Sequence, residues 1–584
     1  MTCASNSQQA SKVEINSKLC INFNELPIHS RPAGSCQRQL SSLYLGELKL
    51  KVAQRRDLIS GRSITPPEIN RLAAPGKKFA YDVIWECFHL RFCENMRRED
   101  IQKLLSQKGI KISDGAISHQ YWEGAAYIEQ LHLKRAKEHG DRYREQGFVL
   151  AIDATNEEGS YKMISARDAL TGENLISRKF LTDSHEAYTS VLREVLELFG
   201  MPDVLLSDMC PRITKAHALV FPKLTHAVCH YHFLNNLGVQ LFSEQHNKFG
   251  EKLTKKRFYQ ELGKYQNEIS RKLQELAESE PDNAQILEQY EKLNALKGLI
   301  YWTRNYQQSM KGDCFPFELR WLHFDDRLKE LRRTIRAIKK DNPRQYGNYF
   351  ARVISSLARV LETDRRSYNF CDTQLRDGQK LFNKLRHIFR TGPDEMNKTQ
   401  LQRRSAALSP NKIKVDLKKF KKELQQIIRS PQSSANSQQV AETMLSHINK
   451  YQQKLCIEVT NSQGEIIDIP RTNNICEHGF RREKRKIRQR CGKSRISIEM
   501  DHLPPQATLA GNFKSPAWVQ MTFGNKQAWQ LFHTIDRQSI KGSLTKMKSQ
   551  RPNSAAPIKQ ARRQDYPTLA LNFIKHDIPF TKSA

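Results

Sequence analysis

The spacing of apolar residues changes along the chain and predicts different elements in successive parts. Residues 1–75 are irregular, except that apolar and polar side chains alternate within 38–56, which predicts a small β-ribbon. Across 76–140 the spacing becomes helical and predicts three helices. A turn at Gly109 separates the second helix from the third, and Ser113 is predicted to cap the third.

The next part of the chain, 141–239, has the pattern of an α/β sheet. Three strand-like runs that can pair as a meander are followed by an amphipathic helix and another apolar run. The first run leads into Asp153 and the last into Asp208. This order predicts the first half of an RNase H-like mixed sheet.

The remaining sequence divides into three parts. Residues 240–465 read as successive charged helices and predict an all-helical insertion. Residues 466–510 are expected to complete the sheet domain, and 511–584 form a basic, weakly patterned tail that we expect to be partly disordered. The predicted fold class is a multidomain α+β protein, with an RNase H-like core interrupted by a helical insertion.

The three helices of 76–140 resemble a helix-turn-helix. Its recognition helix would present Asp114, Ser118, His119 and Trp122, while Ile117 packs inward. The alternative is an ordinary three-helix subdomain, because short helix pairs joined at a glycine are common in proteins that do not bind DNA.

Composition favours a polyanionic partner. The 584 residues contain 95 Lys and Arg against 62 Asp and Glu, a formal net charge of +33. Nucleic acid is the commonest partner for such a charge, although composition does not choose between DNA and RNA. The 12 cysteines include no C-x-x-C pair, and no apolar run is long enough to span a bilayer. An intracellular protein without a membrane partner is expected.

Asp153 and Asp208 are candidates for metal chemistry. Each follows a predicted strand, and strand ends are where open α/β sheets bind ligands. Two such carboxylates can hold divalent cations for phosphodiester displacement, and hard oxygen ligands select Mg²⁺ or Mn²⁺. The alternative is that each aspartate only caps a helix or turn.

A third acid lies far downstream and begins a basic stripe. Glu477 is followed at helical spacing by Arg481, Lys484 and Arg488, which would line a groove for DNA. The neighbouring Glu483 lies on another helix face, and we expect it to be dispensable. The stripe could equally be a solvent-exposed helix face or a targeting signal.

Four segments together resemble DDE transposases, in particular Mutator-like and related bacterial insertion-sequence enzymes. They are AIDAT at Asp153, LLSDMCPRI at Asp208, the C-x-x-H segment CHYH at Cys229 and His232, and TNNICEHGF at Glu477. The resemblance implies that Asp153, Asp208 and Glu477 form a catalytic and metal-binding triad with two Mg²⁺ or Mn²⁺ ions. It also implies cleavage and joining of double-stranded DNA at terminal inverted repeats and target sites by a homo-oligomer.

The resemblance leaves some roles open. We expect Cys229 and His232 to support the acidic site, although a buried cysteine and a hydrogen-bonded histidine are the plain alternative. Trp302 is a candidate for stacking on a displaced base, with core packing as its alternative. Rival functions are an RNase H-fold nuclease without strand transfer and an inactive, transposase-derived DNA-binding protein.

Overall fold

The chain forms two compact units, each described here by itself. A computed structural model describes residues 19–279, 284–309, 314–340, 348–362, 366–390 and 410–549. The first unit comprises Met1–His226 and Val459–Ala584, and the second comprises Ala227–Glu458.

A small sheet opens the first unit. Its strands are β1 (Leu19–Ile21), β2 (Ser30–Ser42), β3 (Gly46–Asp57) and β4 (Ser63–Ile64). β2 and β3 pair antiparallel as a long ribbon, while β1 and β4 pair with β3. The apolar positions of the ribbon bury Leu40, Leu50 and Val52 against Ile69 and Ala73. The predicted β-ribbon is therefore confirmed and is longer than expected.

Five helices follow the small sheet. They are α1 (Pro67–Leu72), α2 (Tyr81–Phe88), α3 (Arg98–Gln107), α4 (Asp114–Lys134) and α5 (Ala136–Gln146). Gly109 has a φ of +83°, which suits the turn between α3 and α4. The side chain of Ser113 accepts a hydrogen bond from the amide of Ala116 at 3.3 Å. Both features were predicted and are confirmed.

The main sheet has five strands and two helices. These elements are β5 (Val149–Thr155), β6 (Lys162–Asp168), β7 (Asn174–Phe180), α6 (His185–Phe199), β8 (Val204–Ser207), α7 (Pro211–Val220) and β9 (Thr225–Val228).

The strand order of the main sheet is β7-β6-β5-β8-β9. The first three strands form an antiparallel meander, and β8 pairs parallel to β5. α6 buries Val191, Leu192 and Val195 in the core of this layer. A Cβ on Gly140 would lie 1.9 Å from the Phe199 carbonyl oxygen, so α5 approaches the end of α6 through that glycine.

Helices dominate the described residues of the second unit. They are α8 (His230–Lys255), α9 (Phe258–Ala277), α10 (Ala284–Arg304), α11 (Arg320–Lys340), α12 (Asn348–Leu361), α13 (Arg366–Ile388), α14 (Pro410–Arg429) and α15 (Ala435–Leu455). The unit overlaps most of the predicted insertion at 240–465.

The chain then returns to the first unit as further helices. They are α16 (Asn474–Cys491), α17 (Ser497–His502), α18 (Pro516–Phe523), α19 (Ala528–Leu531) and α20 (Arg537–Ser549). α16 packs against β5 and β6.

The described part of the predicted tail, 511–549, is folded, and the expectation of partial disorder for 511–584 stays a prediction because the rest of the tail lies outside the described residues. Trp518 is fully buried and donates its indole N–H to His132 at 3.1 Å, and Asn512 donates to the Asn174 carbonyl at 2.8 Å. The sequence pattern is weak because single aromatic and amide side chains, rather than a periodic apolar stripe, fix these short helices. Residues 550–584 lie outside the described part of the chain.

Candidate active site

Asp153 and Asp208 lie side by side at one edge of the main sheet. β5 and β8 pair in parallel, with Val149 opposite Val204 and Ala151 opposite Leu206. If this register is continued by two residues, Asp153 lies opposite Asp208. Because neighbouring strands are about 4.8 Å apart, the two aspartates are close together. Asp153 lies within β5, two residues before its end, whereas Asp208 directly follows β8.

Glu477 lies near this pair in the first turn of α16. Asn473, just before the helix, is fully buried and donates its side-chain amide to the Ile152 carbonyl of β5 at 3.2 Å. Gly479 also allows close approach, because a Cβ there would lie 2.7 Å from the guanidinium of buried Arg167 in β6. The start of α16 is thereby held against the strand that carries Asp153.

The electrostatics of Asp153 reflect this crowding of acids. The pKa of Asp153 is raised to about 7, mainly by burial and then by the negative charges of Asp208 and Glu477. The hydrogen bond from the Ala154 amide, 2.7 Å long, opposes the rise. Asp208 and Glu477 are therefore both near enough for their charges to act on Asp153, although 477 − 208 = 269 residues separate these two acids in sequence.

Residues that sequence reasoning did not single out also surround the pair. Tyr188 of α6 is buried, and its phenol pKa is raised by burial, then by the charges of Cys210, Asp153 and Asp208. The Ser207 hydroxyl contacts His226 Nε2 at 2.8 Å, next to Asp208. Tyr188 carried no signal beyond its place in an apolar helical stripe, so its proximity to the acids could not be predicted.

A metal ion at this site would require some movement of the side chains. Within the described ranges, no three or more His, Cys, Asp or Glu side chains are arranged to hold a metal ion as they stand. The donor chemistry nevertheless fits a hard divalent cation, because the charges of two further carboxylates act on Asp153 and raise its pKa. Catalytic side chains commonly reach their working geometry only when ligands bind.

The basic stripe of α16 is partly occupied by an acid of the β5–β6 hairpin. Lys484 lies 3.2 Å from a Glu157 carboxylate oxygen, and Arg488 lies 3.0 Å from the same oxygen. Arg481 is exposed and forms no salt bridge with any described residue. Of the three predicted DNA-contacting cations, two are therefore engaged within the protein.

The expectation that Glu483 is dispensable conflicts with its position. Its side chain is buried, with Arg482 Nε 3.6 Å away. It also contributes to the electrostatic environment of Arg167 and Arg490. Helical spacing placed Glu483 away from Glu477 correctly, but it could not show that this other face is buried.

In the predicted recognition helix, α4, the first turns and the last residues are accessible, whereas the middle is buried. His119 is exposed, and Ser118 is half-buried, with Arg98 Nη1 donating to its hydroxyl at 3.2 Å. Ile117 is buried as predicted, but Trp122 is only 5 % exposed. The prediction that Trp122 is presented to DNA is wrong, because α4 is buried from Gln120 to Glu129.

Three of the predicted residues belong to the second unit. Cys229 is fully buried immediately before α8, and His232 lies in the first turn of that helix, so their supporting role stays a prediction. Trp302 is 41 % exposed, which contradicts the core-packing alternative. The guanidinium of Arg327 lies 4.5 Å from its ring centroid.

Comparisons with known proteins add little to this description. No protein-family model and no curated protein matches the chain. Among solved structures, the Drosophila P element transposase strand transfer complex is similar at 10 % identity and a TM-score of 0.28, over 81 % of this chain and 96 % of that one. So low a TM-score carries no argument about fold or function. In the described part of the chain, no helix is both long and apolar enough to cross a membrane.

Proposed function

We propose that the chain is a DDE-type DNA transposase with an RNase H-like catalytic core. One observation carries the proposal: the parallel register of β5 and β8 aligns Asp153 with Asp208, and the charge of Glu477 reaches Asp153. The order β7-β6-β5-β8-β9, with an antiparallel meander followed by a parallel strand, supports the choice of core.

Asp153, Asp208 and Glu477 are the residues that would hold two Mg²⁺ or Mn²⁺ ions. When bound, such ions activate the attacking oxygen and stabilise the leaving oxygen of a phosphodiester. The carboxylates would position the cations, and Glu477 in its helical first turn would move toward the aspartates. Binding would also favour the ionised form of Asp153, whose pKa is otherwise raised.

The proposed reaction has two steps at this site. In the first, water attacks the phosphorus at the element end, the P–O bond to the 3′ oxygen breaks, and a 3′-hydroxyl is released. In the second, that hydroxyl attacks a target phosphodiester, so that one P–O bond forms as another breaks. Exposed Arg481 would contact the DNA backbone, while Lys484 and Arg488 would first have to leave Glu157.

The remaining roles follow from the same proposal. Ser118 and His119 are proposed to contact double-stranded DNA, and Trp302 is proposed to stack on an unpaired base. The enzyme would act inside the cell as a homo-oligomer on terminal repeats and target DNA.

The test uses the full chain with labelled duplexes taken from the DNA flanking its gene, together with a supercoiled target plasmid. We expect end cleavage and joining to the plasmid in Mg²⁺ or Mn²⁺, and loss of both after chelation. Cleavage without joining of pre-cut ends would favour the nuclease alternative. Binding without either reaction would favour the inactive DNA-binding protein, and full activity after exhaustive chelation would contradict the metal-dependent mechanism.

A further inference from the structure

The loop of the β5–β6 hairpin, residues 156–161, is fastened to α16. The Lys484 ammonium donates a hydrogen bond to the Asn156 carbonyl at 2.8 Å and lies 3.2 Å from a Glu157 carboxylate oxygen. The Arg488 guanidinium donates to the same Glu157 oxygen at 3.0 Å. Two cations from successive turns of α16 therefore hold one acid of the loop. We call Glu157, Lys484 and Arg488 the hairpin clamp.

Contacts with α17 fix the backbone of the same loop. The Ser497 hydroxyl donates to the Glu158 carbonyl at 2.7 Å. The Tyr161 amide donates to a carboxylate oxygen of buried Asp501 at 2.8 Å. The backbone that carries Glu157 is therefore anchored as well as its side chain, so the clamp is part of the fold rather than a chance meeting of surface charges.

These contacts leave Lys484 and Arg488 little capacity to bind DNA. The Lys484 side chain is only 19 % exposed and already has two oxygen partners in the loop. Arg488 donates from Nε to the Ser494 carbonyl at 3.2 Å as well as from Nη2 to Glu157. A phosphate that displaced these partners would leave the partly buried Glu157 carboxylate unpaired, which is costly. Exposed Arg481 has no such partner to lose.

The clamp also bears on the position of Glu477. Lys484 lies seven residues after Glu477, two turns along the same face of α16. On the other side of Glu477, Asn473 ties the start of the helix to the Ile152 carbonyl. α16 is therefore fastened to β5, and to the loop that directly continues β5, at one point before Glu477 and another after it.

We propose that Glu157 is a positioning residue for the third acid, and that Lys484 and Arg488 serve it rather than DNA. The clamp sets where α16 lies along β5, and thereby how closely Glu477 can approach the two aspartates. The inference rests on the proposed function and deepens it, because it divides the cations of α16 into an internal clamp and a DNA contact, Arg481.

The first experiment needs no reaction. Hydrogen exchange of the full chain in a chelator is followed on peptides that cover 473–480. Glu157→Gln keeps the size of the side chain but removes its charge, so exchange at the start of α16 should become about two- to fivefold faster. The control, Glu158→Gln, removes an exposed charge one residue away and should change little. Equal exchange in wild type and Glu157→Gln would overturn the inference.

The second experiment measures DNA cleavage and binding by variants whose folding is checked by thermal melts. Glu157→Gln should lower kcat about 10- to 100-fold, while KM and the dissociation constant for duplex DNA change less than about twofold. Glu157→Lys/Lys484→Glu restores opposite charges at the two positions and should be about tenfold more active than either single variant. A merely structural role for the loop would not produce this rescue.

Two results of the second experiment would count against the clamp. If Glu157 only competed with DNA for the two cations, Glu157→Gln would bind duplex more tightly and with a steeper dependence on salt, which would overturn the inference. A charge-swapped variant no more active than the single variants would also overturn it. Faster exchange in Glu157→Gln, in a chain whose wild type never cleaves DNA, would refute the proposed function and leave the clamp standing.

Discussion

Replacing Asp153 by Asn should stabilise the metal-free protein at neutral pH. The pKa of Asp153 is raised from 3.8 to about 7 by burial and by the charges of Asp208 and Glu477. A carboxyl group whose pKa is higher in the folded than in the unfolded protein favours the folded state while it is protonated. This contribution is complete below the unfolded-state pKa and is lost as the pH rises through the folded-state pKa. Ionised Asp153 therefore destabilises the wild-type protein above about pH 7.

The shift from 3.8 to about 7 corresponds to about 4 kcal/mol, an upper value because local relaxation and water reduce it. We expect Asp153→Asn to raise the free energy of unfolding by about 2–4 kcal/mol at pH 8 and by much less at pH 4.5. The Asn side-chain oxygen can still accept the hydrogen bond from the Ala154 amide. The pH dependence distinguishes removal of charge from a general packing effect.

The assay is hydrogen exchange with mass spectrometry across a urea series in a chelator, read on peptides that cover β5 and β8. This readout isolates the first unit, which matters because a chain of two units need not unfold in one step. The control, Glu158→Gln, neutralises an exposed acid and should change little. Added Mg²⁺ should stabilise wild type more than Asp153→Asn. Equal stability of the two proteins at pH 8, or a difference that does not depend on pH, would refute the reasoning.

Three further predictions concern single positions. Gly479→Ala should destabilise the first unit by about 1–3 kcal/mol and reduce DNA cleavage more than DNA binding, because its Cβ would push α16 away from buried Arg167; thermal melts and cleavage rates test this. Glu483→Gln should lower the free energy of unfolding by about 1–4 kcal/mol, because it removes a buried charge beside Arg482, and unchanged urea denaturation would contradict that. Trp302→Ala should weaken binding to DNA with unpaired bases by about 1–3 kcal/mol but leave fully paired duplex nearly unaffected, as measured by fluorescence titration.

The sheet could be predicted from sequence because its signals are local. The runs that end at Asp153 and Asp208 are apolar and short, and the helix between them has a clear stripe with Val191 and Val195. The separation of 55 residues between the aspartates equals the register offset between Val149 and Val204. The local apolar pattern therefore predicted the strands, but only the pairing of β5 with β8 shows that Asp153 and Asp208 lie opposite each other.

Other features depend on contacts between distant parts of the chain. Glu477 was selected by the basic stripe that follows it and by resemblance, and neither could show that it lies near β5; in the structure the hydrogen bond from Asn473 to Ile152 holds the start of its helix there. Burial of Trp122 and Glu483 also arises from packing against elements far away in sequence. Helical spacing distinguishes the faces of a helix, but it does not reveal which of them are covered.

Glu477→Gln tests most directly whether Glu477 acts together with the two aspartates. The change keeps the shape of the side chain and removes its charge. We expect cleavage and strand transfer to fall at least about 100-fold, a loss that removal of one essential charged group commonly causes, while the dissociation constant for duplex DNA changes less than about threefold. Glu158→Gln, the exposed control on the β5–β6 hairpin, should retain both reactions. Near-normal cleavage by Glu477→Gln would contradict the assignment of the third acid and remove the main support for the proposed function.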